Sequence, residues 1–332
     1  MKANMKILIF TMTSLSLLHA QLCKASFFEM NLKQDSIYTP GKINLTMKPT
    51  DEAKIENNYK FRVSFFLTGT LIREQIIEAN REKPVNFELA VPEVFDKTEG
   101  RCRCELLLEN NFLEAQEVPL LLWPEIEPYK KETLSSPEIW VYDTSGKLLD
   151  IFRKMEVKVT DATFKTARDF GKPDIVFVGE NTDPNNMQIL ENSISSVNLP
   201  PVVIYLRQKQ FLREAKIEVP TENIKSQNVK CDMESSLLRD LNLSDMLNLV
   251  DNASYLKSKK EDNKERYIRS FVTEEKQDEN NIYSYLCTAQ MDSSRTVYCQ
   301  LPVTTGDDPR SVILLKNMLK YAESENYRIK TK

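Results

Sequence analysis

The second half of the chain is organised around the stretch Pro173-Asp-Ile-Val-Phe-Val-Gly179. Its central apolar run, 174–178, stops at a glycine and predicts a short strand that is buried on both faces. Comparable apolar runs occupy 138–142 and 201–206, and amphipathic segments at 147–155 and 184–197 lie between the runs. With a further strand at 157–159 and a short helix at 164–170, this alternation predicts an α/β domain with a parallel sheet.

The rest of this half continues from the last parallel strand to the end of the chain. Residues 207–270 are charged and show no periodicity, so they are expected to be irregular. The segments 282–290 and 295–303 predict a hairpin. Asp308-Pro309 precedes a segment, 310–323, whose apolar residues recur at helical spacing, and this pattern predicts a final helix.

The first half of the chain has the period of β-strands. Alternating or β-branched runs occur at 42–48, 59–67, 71–79, 85–91, 101–108 and 114–123. Short strands with turn residues between them favour an antiparallel sandwich. Pro124 to Pro137 is polar and proline-punctuated, as linkers often are. The predicted organisation is a leader at 1–25, a β-sandwich at 26–125, a linker at 126–136, an α/β domain at 137–326 and a tail at 327–332.

The N-terminus has the pattern of a secretory leader. Lys2 and Lys6 precede a short apolar run, and cleavage is expected after Ala20 or Ala25. The prediction is a secreted or periplasmic protein without stable membrane insertion, since no apolar run reaches about 20 residues. Removing the three lysines of the leader moves the net charge from −4 to −4 − 3 = −7. A mildly acidic chain has no general attraction for nucleic acid, so no nucleic-acid partner is predicted.

Three segments of the second half resemble the class I glutamine amidotransferase-like domain, a flavodoxin-like α/β fold. They are Ile139-Trp-Val-Tyr-Asp143, Pro173–Gly179 and Pro201-Val-Val-Ile-Tyr-Leu206. The closest pattern is that of the noncatalytic versions attached to glycoside hydrolases of the β-galactosidase kind. The closing segments Thr296–Leu301 and Leu314–Tyr321 are similar to the final strand and helix of that group, and the resemblance covers about 137–325. It implies that the preceding sandwich is an immunoglobulin-like module.

The catalytic apparatus of an active amidotransferase is missing from the matching positions. The nucleophile elbow would fall on Leu206-Arg-Gln-Lys-Gln-Phe211, which contains no Cys, Ser or Gly. The only histidine, His19, lies in the leader, so imidazole-dependent catalysis is excluded for the rest of the chain. The seven glycines form no phosphate-binding loop, and no cofactor is therefore predicted.

Two acids remain as catalytic candidates, Asp143 and Glu180, because each follows a predicted parallel strand. Two converging carboxylates can hydrolyse a glycoside. The favoured alternative is that both cap the turns or helices that follow them. No metal site is predicted, since neither a calcium-loop spacing nor a C-x-x-C occurs.

Cysteines, tryptophans and sequons each leave alternatives open. Cys287 and Cys299 flank a strand–turn–strand and form either a disulfide or, as favoured, two buried free thiols. Trp123 and Trp140 flank the linker and either stack on sugar rings or, as favoured, fill the seam between the domains. Glycosylation sequons begin at Asn44, Asn242 and Asn252.

The sequence therefore supports three functional hypotheses. The first is an exported noncatalytic module that binds carbohydrate or another secreted protein. The second is a glycoside hydrolase that uses Asp143 and Glu180. The third is a structural subunit that docks on another chain through a sheet edge.

Overall fold

The structure of the chain is a computed structural model. It describes residues 26–50, 59–78, 83–130, 137–163, 172–195, 200–211, 217–220, 228–251, 253–260, 268–276, 278–291, 294–306 and 308–330. The predicted leader, the predicted helix at 164–170 and the sequon at Asn252 lie outside these ranges. The chain divides into two compact units, and the division falls between Pro124 and Glu125.

The first unit is built from strands alone. They are β1 (Phe28–Leu32), β2 (Ser36–Tyr38), β3 (Gly41–Pro49), β4 (Tyr59–Leu67), β5 (Thr70–Glu78), β6 (Val85–Val91), β7 (Thr98–Leu108) and β8 (Asn111–Trp123). One sheet has the order β1-β3-β6 and the other the order β2-β8-β7-β4-β5. All pairs are antiparallel except β2 with β8. The prediction of a β-rich first half is confirmed.

Alternating side chains make the core of this unit. Ile43, Leu45 and Met47 of β3 are at most 1% exposed, while Lys42 and Asn44, which alternate with them, are exposed. They pack with Phe61 and the other inward residues of β4 and β7 in one cluster. Two strands, β1 and β2, were not predicted because they are short and lack a clear run of alternating apolar residues.

The second unit combines strands and helices. Its strands are β9 (Ile139–Tyr142), β10 (Thr160–Asp161), β11 (Ile175–Val178), β12 (Val202–Leu206), β13 (Ile217–Glu218), β14 (Val229–Cys231), β15 (Leu256–Lys259), β16 (Arg269–Glu274), β17 (Asn281–Met291) and β18 (Ser294–Cys299). Its α-helices are α1 (Lys147–Lys154), α2 (Pro184–Ser195), α3 (Leu243–Val250) and α4 (Pro309–Lys330), and a 3-10 turn spans Ser236–Leu238.

Five strands of this unit pair in parallel, in the order β10-β9-β11-β12-β18. Strand β17 then joins β18 antiparallel and carries β15 and β16. Val176 and Val178 pack with Met187 of α2 on one face. Phe177 points to the other face, where its ring lies 4.9 Å from that of Phe152 in α1. Helices thus cover both faces of the parallel strands.

Two predictions for this unit are corrected by the structure. The strand expected at 157–159 lies at Thr160–Asp161, where it pairs with β9. The segment 207–270, expected to be irregular, contains strands β13 to β15, the start of β16, the 3-10 turn and α3. The strands of this segment are two to six residues long and gain their backbone partners from one another and from β17, so a local pattern does not reveal them.

No helix among the described residues is long and apolar enough to cross a bilayer.

Candidate functional site at the carboxyl edge of the parallel strands

A polar residue directly follows the parallel strands at one edge of the second unit. Asp143 follows β9, Glu180 comes one residue after Gly179 at the end of β11, Arg207 follows β12 and Gln300 follows β18. Because the strands are parallel, all these positions lie at the same edge. Ligands of open α/β sheets bind outside this edge, so it is the candidate site.

Asp143 is buried and fully engaged in local structure. Its Oδ1 accepts hydrogen bonds from the backbone and hydroxyl of Ser145, at 3.0 and 2.7 Å. Its Oδ2 accepts from the backbone N–H of Leu148 at 2.7 Å. Thr163 holds its backbone by donating to the Asp143 carbonyl oxygen at 3.2 Å. This is the capping arrangement, and it leaves the carboxylate committed to the start of α1.

Glu180 is placed differently and contacts the next strand. Its Oε2 lies 3.7 Å from Nη1 of Arg207, in an ion pair whose side chains are 19% and 33% exposed. Its Oε1 is buried and has no hydrogen-bond partner among the described residues. Glu180 therefore does not cap a helix, and it shares its charge with an arginine instead of with Asp143. The two candidate acids lie at neighbouring strand ends, but Asp143 binds its own turn and Glu180 pairs with Arg207.

The turns that carry the ion pair have unusual backbone geometry. Arg207 has φ +42° and Asn181 has φ +52°, both in the left-handed region that costs energy for residues other than glycine. The backbone N–H of Asn181 donates to the Arg207 carbonyl oxygen at 3.1 Å. Strain of this kind often marks a functional turn. Here the left-handed residue Arg207 stands directly after β12.

Buried amides hold these turns together. Gln208 is 2% exposed, and its Nε2 donates to the carbonyl oxygens of Gly179 and Leu206 while its Oε1 accepts from Thr182. Gln300, also 2% exposed, donates to the Gln208 carbonyl oxygen at 2.8 Å. Three strand ends are thereby tied into one network, and such satisfied networks fix a single arrangement.

A thiol lies near the ion pair but is poorly suited to nucleophilic attack. The pKa of Cys299 is raised to about 12, mainly by burial and to a smaller extent by the charge of Glu180, while a backbone hydrogen bond at Leu301 and the charge of Arg207 oppose the shift. The thiolate, not the thiol, is the reactive form of cysteine. Cys299 is therefore protonated at neutral pH.

The disulfide between Cys287 and Cys299 is not formed, because both are free thiols. Cys287 lies opposite Tyr298, and Cys299 lies opposite Leu286. Neighbouring residues of a strand point to opposite faces, so the two thiols lie on opposite sides of the sheet. The register of the hairpin keeps them apart.

Neither tryptophan is available to a sugar. Trp140 is 1% exposed and belongs to the core of the second unit, with its Nε1 donating to Glu138 at 2.7 Å. Trp123 is 6% exposed, donates to the hydroxyl of Ser36 and carries Lys97 over its ring. The stacking alternative is wrong for both. The other alternative, that they fill the seam between the domains, stays a prediction.

Sequence reasoning missed several residues of this edge, among them Arg207, Gln208 and Gln300. A usable pattern was present, because each stands within two residues of the end of a strand. The pattern of 206–211 shows which nucleophile is absent, but it does not show what Arg207 and Gln208 contact. Among the described residues no cluster of His, Cys, Asp or Glu could hold a metal ion.

A sheet edge of the kind expected for a docking subunit occurs in the first unit. Strand β5 ends the five-stranded sheet, and nearly all of its side chains are exposed. Leu71, Ile72 and Ile76 are 44 to 52% exposed. Arg73 and Glu74 interrupt this apolar row, as charges often do on edges that must not pair.

Comparisons with known proteins identify no relative. No protein-family model matches the chain, and no curated protein matches it. The CARDB domain of a Pyrococcus furiosus protein, in complex with di-metal ions, is similar at 14% identity over 29% of this chain and 84% of that chain, with a TM-score of 0.22. The β-glucuronidase of Parabacteroides merdae is similar at 11% identity over 55% and 24%, with a TM-score of 0.24. Scores this low establish neither a shared fold nor a shared function.

Proposed function

We propose that the chain is an exported, noncatalytic binding or assembly module, made of an immunoglobulin-like sandwich and an amidotransferase-like α/β domain. The order of the parallel strands supports the second part. Numbered along the chain, β10-β9-β11-β12-β18 reads 2-1-3-4-5, which is the order of flavodoxin-like sheets. Helices on both faces agree with this family of folds.

One observation carries the noncatalytic assignment, namely the identity of the residue after β12. Arg207 holds the left-handed turn, at φ +42°, where an elbow enzyme places its nucleophile. A guanidinium has no lone pair to offer and cannot be deprotonated at working pH. With Glu180 beside it, the edge presents a fixed pair of opposite charges, which suits recognition better than attack.

The hydrolase alternative receives little support from the same edge. A glycoside hydrolase needs one carboxyl group free to donate a proton and a second free to act on the sugar or on water. Asp143 accepts three hydrogen bonds from its own turn. Glu180 is engaged in an ion pair with Arg207 at the same edge.

The secreted setting and the carbohydrate context follow from the sequence. The leader pattern at 1–25 supports export, and the resemblance to modules of β-galactosidase-type enzymes supports a role beside polysaccharide processing. The ligand is accordingly a carbohydrate or another secreted protein. N-terminal sequencing of the exported product is expected to begin at Gln21 or Ser26.

The experiment is a turnover assay on the purified exported protein. We expect no ammonia from glutamine and no product from chromogenic esters or glycosides above the level of the Asp143→Asn and Glu180→Gln proteins. Asp150→Asn, an exposed acid of α1, is the matched control. Turnover that Glu180→Gln or Asp143→Asn abolishes, while the control retains it, would establish an enzyme and remove the proposal.

A further inference from the structure

A polar array covers part of the three-stranded sheet in the first unit. The register sets Asn31 of β1 opposite Thr46 of β3, and Thr46 opposite Asn86 of β6. Directly opposite residues share a face, so these three side chains form one row across the sheet. Leu45, the neighbour of Thr46, points the other way into the core. The row therefore lies on the outer face.

A second row runs beside the first. Asn44 lies opposite Glu88, and the backbone N–H of Lys33 donates to the Asn44 carbonyl oxygen at 3.2 Å. The side chains of Lys33, Asn44 and Glu88 are exposed. The two rows line an open groove of about 420 Å³. This volume falls within the range of small-molecule sites, about 300 to 1,000 Å³.

The hydrogen-bonding capacity of the groove is only partly used. Thr46 Oγ1 donates to Asn86 Oδ1 at 2.9 Å, and Glu88 pairs with Lys42 at 2.6 Å. For Asn31 and Asn44, no hydrogen bond of the side-chain amide occurs within the part of the chain that the structure describes. Two amides with free donors and acceptors thus stand side by side above paired strands.

We propose that this groove binds a neutral polyhydroxylated chain, an oligosaccharide segment, through the amides of Asn31, Asn44 and Asn86. The proposal rests on the proposed function and gives it a site and a ligand class. Each amide offers donors and an acceptor, and each sugar hydroxyl can both donate and accept. Adjacent amides on strands about 4.8 Å apart can therefore contact successive hydroxyls.

Other ligand classes fit the groove less well. A nucleic acid needs several cations for its phosphates, but Lys33 is the only cation in the lining and Glu88 opposes it. An extended peptide docks by pairing with a free strand edge. The groove instead crosses the middle of the sheet over β3, which already pairs with β1 and β6.

The test uses the full exported protein from a host without N-glycosylation, since a glycan on Asn44 would cover the groove. A glycan array with neutral and anionic oligosaccharides selects a binder, and calorimetry measures its Kd. We expect a neutral binder whose Kd rises at least tenfold in Asn44→Ala and in Thr46→Val. Asn111→Ala, an exposed amide at the start of β8, should leave the Kd unchanged.

The outcomes separate this proposal from the function it rests on. The proposed sugar site is overturned if no neutral oligosaccharide binds. It is also overturned if Asn44→Ala and Thr46→Val leave binding intact. Binding that Glu180→Gln abolishes instead would move the site to the second unit and leave the binding module standing. Turnover in the enzyme assay would contradict the noncatalytic function, whether or not the groove binds an oligosaccharide. Equal thermal midpoints for the variants and the parent show that loss of binding is not loss of folding.

Discussion

The carboxylate of Asp143 lies directly against Gly179. A Cβ atom placed on Gly179 would come within 2.7 Å of Asp143 Oδ1. The two residues follow the neighbouring strands β9 and β11, and the Gly179 N–H donates to the Tyr142 carbonyl oxygen at 2.7 Å. Gly179 does not have a positive φ, so glycine is needed here for space and not for backbone freedom.

Gly179→Ala is therefore expected to destabilise the protein by about 1–3 kcal/mol, the usual cost of overpacking a closed site. Urea unfolding measures it. The cost should shrink when Asp143 is also changed to Ala, because the clashing carboxylate is then gone. An equal cost of Gly179→Ala in both backgrounds would show that Asp143 is not the cause.

The parallel strands were predictable because their side chains are buried on both faces. The predicted runs at 174–178 and 201–206 each begin one residue before the observed strands β11 and β12 and end with them. The strands of the 207–270 segment were not predictable, since β13 has two residues and depends on pairing with β15. The local sequence of β13 does not indicate its partner strand, which lies about 40 residues further along the chain.

The candidate site shows the same division between local and distant information. The positions of Asp143 and Glu180 at strand ends follow from the pattern alone. The partner of Glu180 does not, because Arg207 belongs to another strand and takes an unfavourable φ. The fate of Cys287 and Cys299 likewise depends on register, and a shift of one residue reverses the face of every side chain.

All described cysteines should be reduced in the native protein. We expect the mass of the protein to be the same with and without reductant, apart from any adduct at Cys23. Alkylation at pH 8 should reach Cys231 first, because it is the one described thiol that is not buried. Cys287 and Cys299 should react only after unfolding. A tryptic fragment that joins these two residues in the absence of reductant would contradict the hairpin register.

Stability should fall as the pH rises above about 9. Burial raises the pKa of Cys102, Cys287 and Cys299 from 9.0 to about 12. Between these values the unfolded chain loses protons that the folded chain keeps, so alkali favours unfolding. Each such thiol lowers the free energy of unfolding by about 1.4 kcal/mol per pH unit within this window. Below pH 9 the thiols are protonated in both states and add no slope.

The measurement is urea unfolding at pH 8, 9 and 10. Replacing Cys287 by Ala costs stability at every pH, but it should make the decline between pH 9 and 10 less steep. Cys231→Ala should flatten the decline in the same way between pH 9 and 10, because partial burial raises the pKa of Cys231 to about 11, which also lies above this window. A slope that none of these substitutions changes would assign the alkaline loss to other groups.

A buried ion pair joins the last strand to the last helix. Arg295 Nε of β18 lies 3.2 Å from Glu325 Oε2 of α4, and the two side chains are 10% and 9% exposed. Glu325→Ala leaves a buried guanidinium without this partner and should cost about 3–5 kcal/mol. Replacing both residues, as Arg295→Met with Glu325→Leu, should recover most of that loss because no charge is left buried. Asp150→Ala, which breaks the exposed pair with Arg153, should cost at most about 1 kcal/mol. A double variant no more stable than Glu325→Ala would mean that the packing of the two side chains, and not their charge, holds α4 on the sheet.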